Sequence, residues 1–190
     1  MRDCLNDTML KGGIRSDENM KKQLAYEIKK VQKENSKQVI HFIQKNMKEL
    51  FPMMAHDQLP SDIRHFHNQY IDRDDAALFA AVDEAGKVLG TIGYLPYDGR
   101  FEQLDHLYKH VQTTELVRCY IDVNYRRMGI GTALYENVID SIRDAGYEKV
   151  YLHTHPFLPG GMSFWQEKGF IERLAEENSV WQTVHMDQDV

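Results

Sequence analysis

The feature that most constrains this chain is a glycine-rich turn set between a strand and a long helix. Residues 114–122 predict the strand, and the turn Arg126-Arg127-Met128-Gly129-Ile130-Gly131-Thr132 opens a helix predicted to span residues 129–145. Gly146 follows at a position typical of a helix C-terminus. Residues 150–154 predict the next strand, so the stretch predicts one βαβ crossover.

The turn has the chemistry of an anion site. Gly129 and Gly131 keep side chains away from the helix start, where free backbone N–H groups and the helix dipole favour negative charge. Arg126 and Arg127 add positive charge, and Thr132 adds a hydroxyl donor. The pattern predicts a phosphate or pyrophosphate site. The alternative is a glycine-rich helix start without a ligand, and two glycines alone do not decide between them.

Two common phosphate-binding motifs are excluded. A Walker A loop needs Lys and Ser or Thr after its second glycine, whereas Thr132 and Ala133 follow Gly131. The dinucleotide fingerprint needs three spaced glycines after an early strand, and this turn has two.

The remaining periodicity predicts a mixed α/β (α+β) fold with a central run of antiparallel strands. Apolar residues at alternate positions predict strands, and apolar residues spaced three and four apart predict helices. Residues 83–86 predict a hairpin turn. The predicted strands are 24–28, 77–82, 88–94, 170–174 and 180–186, and the predicted helices are 36–50 capped by Ser36, one after Pro60-Ser61, 101–111 and 161–168.

Length and composition fit one domain of about 170 residues behind a polar extension. We assign residues 1–22 to the extension and 23–190 to the domain. A net charge of −6 without a Lys/Arg-dense stretch disfavours a nucleic-acid binder. We expect no membrane span, because no apolar run approaches about 18 residues. Two unrelated cysteines and no apolar leader in the first twenty residues favour the cytoplasm.

The Arg-x-x-Gly-x-Gly turn at residues 126–131, placed between a strand and a long helix, resembles that of the GNAT superfamily of N-acetyltransferases. Phe164-Trp165-Gln166-Glu167-Lys168-Gly169-Phe170 is similar to the family's Phe-Tyr-x-x-x-Gly-Phe signature. The resemblance implies a GNAT fold, with a mostly antiparallel sheet, a splayed parallel strand pair and flanking helices. It also implies acetyl-CoA as cosubstrate, an amine acceptor and no metal. Whether the protein forms a homodimer is left open.

The resemblance also implies which residues hold the cosubstrate. Backbone amides of the turn would bind the pyrophosphate, and backbone groups near the end of the preceding strand would pair with the pantetheine arm. Trp165 takes the position of the signature tyrosine. The implied cosubstrate-binding residues are Cys119, Tyr120, Ile121, Arg126, Arg127, Met128, Gly129, Ile130, Gly131, Thr132 and Trp165.

Catalysis by direct transfer needs a base, because a lysine-like amine has a pKa of about 10.4. We name Glu115 as candidate base and expect it to share a strand face with Val117, Cys119 and Ile121. The alternative for Glu115 is a solvated residue at a strand start. Tyr120 is the second catalytic candidate, with a backbone N–H for the oxyanion and a phenol that could assist the leaving thiolate.

The sequence departs from the family pattern at three positions. Trp165 replaces the tyrosine that protonates the leaving thiolate, and an indole is not a useful acid. Leu158 stands where many members have asparagine, and Val123 stands where a proline is common. These departures keep open a non-catalytic acyl-CoA-binding module, and transfer of another acyl group is a further alternative.

Other reactive side chains are less informative. None of the nine histidines has a zinc-like ligand spacing, but the strand of His153 and His155 borders the expected acceptor cleft, so either could act as a base one step removed from the acceptor. Cys119 is more typical of a small core residue than of a nucleophile. The acceptor site is expected near residues 95–112, with the candidate lining residues Tyr97, Asp98, Phe101, Glu102, Asp105 and His106. The alternative is a surface connection with its own small cluster, and the sequence does not decide between them.

Overall fold

The computed structural model describes residues 24–54, 57–177 and 180–190. The predicted extension, residues 1–22, lies outside the described residues. Seven strands form one sheet in the order β1-β2-β3-β4-β5-β7-β6. The strands are β1 Tyr26–Lys30, β2 Ala77–Asp83, β3 Val88–Pro96, β4 Thr113–Ile121, β5 Lys149–Thr154, β6 Ile171–Ala175 and β7 Val184–Asp189.

Helices cover both faces of the sheet. One face carries α5, whose residues Ile130, Leu134, Val138 and Ile142 recur every four positions and are buried against the strands. The other face carries the helices near the N-terminus, which bury a second cluster around Val39 and other apolar side chains. The helices are α1 Ser36–Leu50, α2 Ser61–Arg64, α3 Phe66–Tyr70, α4 Asp105–Tyr108, α5 Ile130–Asp144 and α6 Gly161–Glu167.

The predicted mixed fold and its single crossover are confirmed. All strand neighbours are antiparallel except β4 and β5, which are parallel and joined through α5. Within the described ranges, no helix is long and apolar enough to cross a membrane.

Several predicted boundaries are wrong for local reasons. Ser36 is the first residue of α1 rather than its cap, and its hydroxyl bonds the Lys33 carbonyl. The helix predicted after Pro60 is broken at His65 into α2 and α3. The helix predicted over 101–111 is a 3-10 turn followed by the four residues of α4. The helix predicted to reach residue 145 ends at Asp144, and Ala145 is exposed.

The last strand begins later than its sequence pattern indicates. The sequence predicts a strand from residue 180, but Gln182 has a φ of 47° and Val180 is 90% exposed. A left-handed residue interrupts an extended chain, so β7 begins only at Val184. Part of the predicted 175–179 turn, residues 178–179, lies outside the described residues.

A bulge in β4 overturns one prediction about the site. Val117 pairs with Gly93 and Tyr120 pairs with Thr91, so β4 has one extra residue there, and Arg118 has a φ of 54°. Val117 therefore packs towards α1, whereas Cys119 and Ile121 pack towards α5. Of the three residues predicted to share its face, Glu115 keeps only Val117, and the prediction is wrong for Cys119 and Ile121.

The parallel strands β4 and β5 separate part of the way along the sheet. They pair at three positions, from Thr113–Lys149 to Glu115–Tyr151. Beyond Glu115, β4 continues beside β3 and β5 continues beside β7, with no pairing between β4 and β5 among the described residues. The splayed parallel pair predicted from the family resemblance is thus present.

Candidate active site

A cleft of about 1260 Å³ opens where β4 and β5 separate. Its floor includes β4 from Glu115 to Ile121 and the last residues of β5. The start of α5 and the segment 158–165 form one side. The end of α1, the start of α2 and residues 95–101 form the other. The cleft therefore has access from both faces of the sheet.

The glycine-rich turn borders this cleft. Gly129 has a φ of 84° directly before α5, a conformation that side chains disfavour. The first helical bond runs from the Ala133 N–H to the Gly129 carbonyl, so the amides of Ile130, Gly131 and Thr132 precede it. A β-carbon on Gly131 would lie 3.4 Å from the Phe164 ring. The helix start thus presents donors to the cleft without side chains over them.

The turn residues differ in where their side chains lie. Ile130 is buried in the core, so it could meet a ligand only through its backbone, whereas Met128 is exposed and lies outside the lining of the cleft. Arg126 donates from Nε to the Ile121 carbonyl at 3.3 Å, which ties the turn to the end of β4. The turn residues that line the cleft are Arg126, Arg127, Gly129, Gly131 and Thr132.

The end of β4 also lines the cleft, through Cys119, Tyr120 and Ile121. Desolvation raises the pKa of the Cys119 thiol to about 12, so the thiol is neutral at pH 7 and poorly suited to act as a nucleophile. Burial likewise raises the pKa of Tyr120. A raised pKa keeps the phenol protonated, which a proton donor requires.

Glu115 is buried, with 3% exposure, so the alternative interpretation, a solvated residue at a strand start, is wrong. Arg100 donates to Glu115 from Nη1 at 2.7 Å and from Nη2 at 2.5 Å, one bond to each carboxylate oxygen. The Nδ1 atom of His153 lies 3.0 Å from Oε1. Burial alone would raise the pKa of Glu115, but the bonds from His153 and Arg100 hold it below its usual value.

A second ion pair lies under the bulge. Arg118 donates from Nε to Asp62 Oδ2 at 2.8 Å, and the Tyr70 hydroxyl donates to the same oxygen at 2.6 Å. Burial alone would raise the pKa of Asp62, but the hydrogen bond and charge of Arg118 lower it. The pair links α2 to β4 across the cleft wall. Sequence reasoning missed both residues, since nothing in the local sequence signals a contact over 56 positions.

Aromatic rings form the wall on the α1 side. The rings of Phe51, His155 and Trp181 line the cleft with centroids 5.8–6.4 Å apart, and Phe157, outside the lining, stacks on His155 at 5.1 Å. Of the predicted acceptor-loop residues, Tyr97, Asp98 and Phe101 line the cleft, whereas Glu102, Asp105 and His106 lie outside its lining. The sequence does not predict Phe51 as a cleft residue, because the residues around it indicate only the end of a helix.

Trp165 borders the cleft but is mostly a core residue. It is 7% exposed and packs edge-on against Phe164 and Phe170, with centroids 4.8 and 5.4 Å away. Leu158, at the position of the family asparagine, also lines the cleft. In the part of the chain that the structure describes, no group of three His, Cys, Asp or Glu side chains could hold a metal ion.

Trp165→Tyr is expected to destabilise the fold by about 1–3 kcal/mol, because the smaller ring leaves part of this aromatic cluster unfilled. Urea denaturation of the variant and the parent measures the difference. The folded variant should bind coenzyme A with unchanged affinity. A large loss of affinity without a loss of stability would instead show that the indole contacts the ligand.

The sheet with its opened parallel pair and the turn beside the opening define an acyltransferase fold. The chain belongs to the acetyltransferase (GNAT) family, whose model matches residues 40–170, more than half of the sequence. Family membership supports acyl transfer from an acyl-CoA thioester.

Similar proteins of known sequence agree with this assignment. Human N-acetyltransferase 8 is 30% identical over 123 residues, which cover 65% of this chain and 51% of that protein. The probable N-acetyltransferase camello of Xenopus tropicalis is 28% identical over 126 residues, covering 66% and 52%. The chain thus spans about half the length of the curated relatives it matches.

Solved structures share the fold. A GNAT-family acetyltransferase from Staphylococcus aureus Mu50 has a TM-score of 0.67 at 20% identity, covering 87% of this chain and 99% of that one. The PaiA N-acetyltransferase from Thermoplasma acidophilum, solved in complex with coenzyme A, has a TM-score of 0.64 at 19% identity, covering 88% and 100%. At sequence identities this low, the similarity shows a shared fold alone.

Proposed function

We propose that the protein transfers the acetyl group of acetyl-CoA directly to a primary amine. One observation carries the proposal: β4 and β5 separate beside the start of α5, so a strand edge and a helix start with free backbone amides border one cleft. An acyl-CoA needs both, because its pyrophosphate is an anion and its pantetheine arm carries amides that pair with a strand edge. We also propose the cytoplasmic location that the sequence favours.

The residues present fit such a cosubstrate. The amides of residues 129–132 and the side chains of Arg126 and Arg127 would hold the pyrophosphate. The unpaired edge of β4 near Cys119, Tyr120 and Ile121 would hold the pantetheine arm. The bound thioester supplies an activated acyl carbon. A backbone N–H near Tyr120 would donate to the oxyanion that develops on its carbonyl.

The acceptor would enter from the α1 side, past the aromatic wall. Most of the acidic charge there is offset, because Arg118 neutralises Asp62 and Arg100 neutralises one of its two partners, Asp98 and Glu115, which leaves one net negative charge. Attraction of a cationic amine by an acidic patch is therefore weak. The wall suits an acceptor that brings apolar or aromatic surface beside its amine.

Thiol release tests the proposal. The purified protein is mixed with acetyl-CoA and a panel of alkylamines, arylalkylamines, amino acids and short peptides, and free thiol is followed in time. We expect release that depends on both substrates and equals the acetylated amine found by mass spectrometry. Propionyl-CoA in place of acetyl-CoA tests the acyl preference. Tight coenzyme A binding without release for any amine would contradict the proposal and favour the non-catalytic binding module.

A further inference from the structure

His153 lies at the open end of β5, on the wall of the cleft. Its side chain is 32% exposed, whereas Glu115 beside it is almost fully covered. The Nδ1 atom of His153 lies 3.0 Å from Glu115 Oε1. One nitrogen of the ring is thus held by a buried carboxylate, and the partly exposed ring borders the space where an acceptor would sit.

The charge on Glu115 determines the tautomer of His153. Arg100 bonds both carboxylate oxygens, and the pKa of Glu115 is held low, so this carboxylate is ionised at neutral pH. An ionised carboxylate only accepts hydrogen bonds. The hydrogen of a neutral His153 must therefore be on Nδ1, which leaves Nε2 with a lone pair that can accept a proton.

The orientation of the His153 ring is also restricted by its neighbours. The Phe101 ring lies edge-on to it, with centroids 5.8 Å apart. The Tyr151 ring, two residues earlier on β5, lies with its centroid 6.3 Å away. The titratable and charged groups that face His153 are Glu115 from β4, Arg100 from the loop after β3, Tyr151 and His155 from β5, and His185 from β7.

Resting on the proposed function, we propose that Nε2 of His153 accepts the proton of the acceptor amine, with Glu115 and Arg100 as positioning residues. The amine nitrogen bonds to the thioester carbon and gives its proton to Nε2. The carbon–sulfur bond then breaks, and the thiolate leaves with the bonding electrons. The imidazolium returns the proton to the thiolate, directly or through water. The products are the amide and coenzyme A thiol, and His153 is neutral again.

This assignment explains two features that otherwise stand apart. Glu115 itself is a poor direct base, because both of its oxygens already accept hydrogen bonds and its pKa is low. Trp165 can replace the family tyrosine, because the proton taken up by His153 is available for the leaving thiolate. The carboxylate expected to be the base instead orients the base.

His153→Gln tests the base directly, with His41→Gln, on the exposed side of α1, as a matched control. We expect kcat of His153→Gln to fall by about 10²–10⁴-fold at pH 7. Coenzyme A affinity should stay within about twofold of the parent, because His153 lies outside the phosphate turn. The residual activity should rise steadily with pH, as the free amine becomes more abundant. His41→Gln should match the parent throughout.

Glu115→Gln tests the positioning role. Removing the carboxylate charge leaves Arg100 as the nearest charge and makes an imidazolium less favourable. The acidic limb of the kcat/KM profile should therefore move to lower pH, and the maximal rate should fall less than in His153→Gln. A structural role alone would lower the rate without moving the limb.

The outcomes separate this inference from the proposed function. If the parent releases thiol and His153→Gln retains the parent kcat at pH 7, the base assignment is wrong while acetyl transfer stands. An unmoved acidic limb in an active Glu115→Gln variant would overturn the positioning role. If the parent releases no thiol with any amine, the proposed function and this inference fall together.

Discussion

Asp62→Asn is expected to lower the free energy of unfolding by about 3 kcal/mol. The substitution keeps the size of the side chain but leaves Arg118 charged and without its counterion in the wall of the cleft. About one sixth of each side chain is exposed, 17% of Arg118 and 15% of Asp62, so we expect the lower end of the range for a broken buried pair. Urea denaturation at pH 7 measures the difference.

Asp72→Asn is the matched control for this experiment. Asp72 also pairs with a cation, Lys33, but both side chains are largely exposed. Exposed pairs contribute little, so the control should stay within about 0.5 kcal/mol of the parent. An Asp62→Asn variant as stable as the parent would show that this ion pair does not stabilise the fold.

The effect of Asp62→Asn should also depend on pH. The folded protein lowers the pKa of Asp62, so its contribution is fully present above the pKa of the unfolded chain, about 3.9. The contribution is lost as the pH falls through the lower, folded value. The gap in stability between parent and variant should therefore shrink below about pH 4, and a constant gap down to pH 2 would contradict the assignment.

Gly131→Glu is expected to weaken coenzyme A binding by at least about 100-fold, or roughly 2.7 kcal/mol. The new side chain would start 3.4 Å from Phe164 and bring a negative charge to the helix start, where a pyrophosphate would lie. Titration calorimetry on folded protein measures the affinity.

Gly131→Gln separates the two causes, because glutamine matches glutamate in size without its charge. We expect an intermediate loss for Gly131→Gln, and a loss for Gly131→Glu that becomes smaller at high salt. Circular dichroism confirms that each variant is folded. Unchanged affinity in a folded Gly131→Glu variant would remove the turn from the binding site.

Local sequence patterns predict the framework of the molecule well. The spacing Ile130, Leu134, Val138 and Ile142 places α5 on the sheet, and two glycines at a strand–helix junction predict the turn. These features depend on residues close together in the chain. Their periodicity and backbone preferences are therefore visible in one sequence.

The side of the cleft around Glu115 depends on distant contacts that no local pattern shows. The bulge at Arg118 reverses the side-chain alternation of β4, so a count of residues along the strand places Glu115 beside the wrong neighbours. Arg100 lies 15 positions from Glu115, and His153 lies 38 positions from it. Only the folded sheet brings a loop, β4 and β5 together at this carboxylate.

The most direct test of the central claim, that the opening between β4 and β5 binds an acyl-CoA, is hydrogen–deuterium exchange with and without coenzyme A. Peptides that cover residues 126–132 and 116–121 should exchange more slowly when coenzyme A is present. Peptides from β1, on the far edge of the sheet, should be unchanged. Slower exchange elsewhere with no change in residues 126–132 would contradict the account.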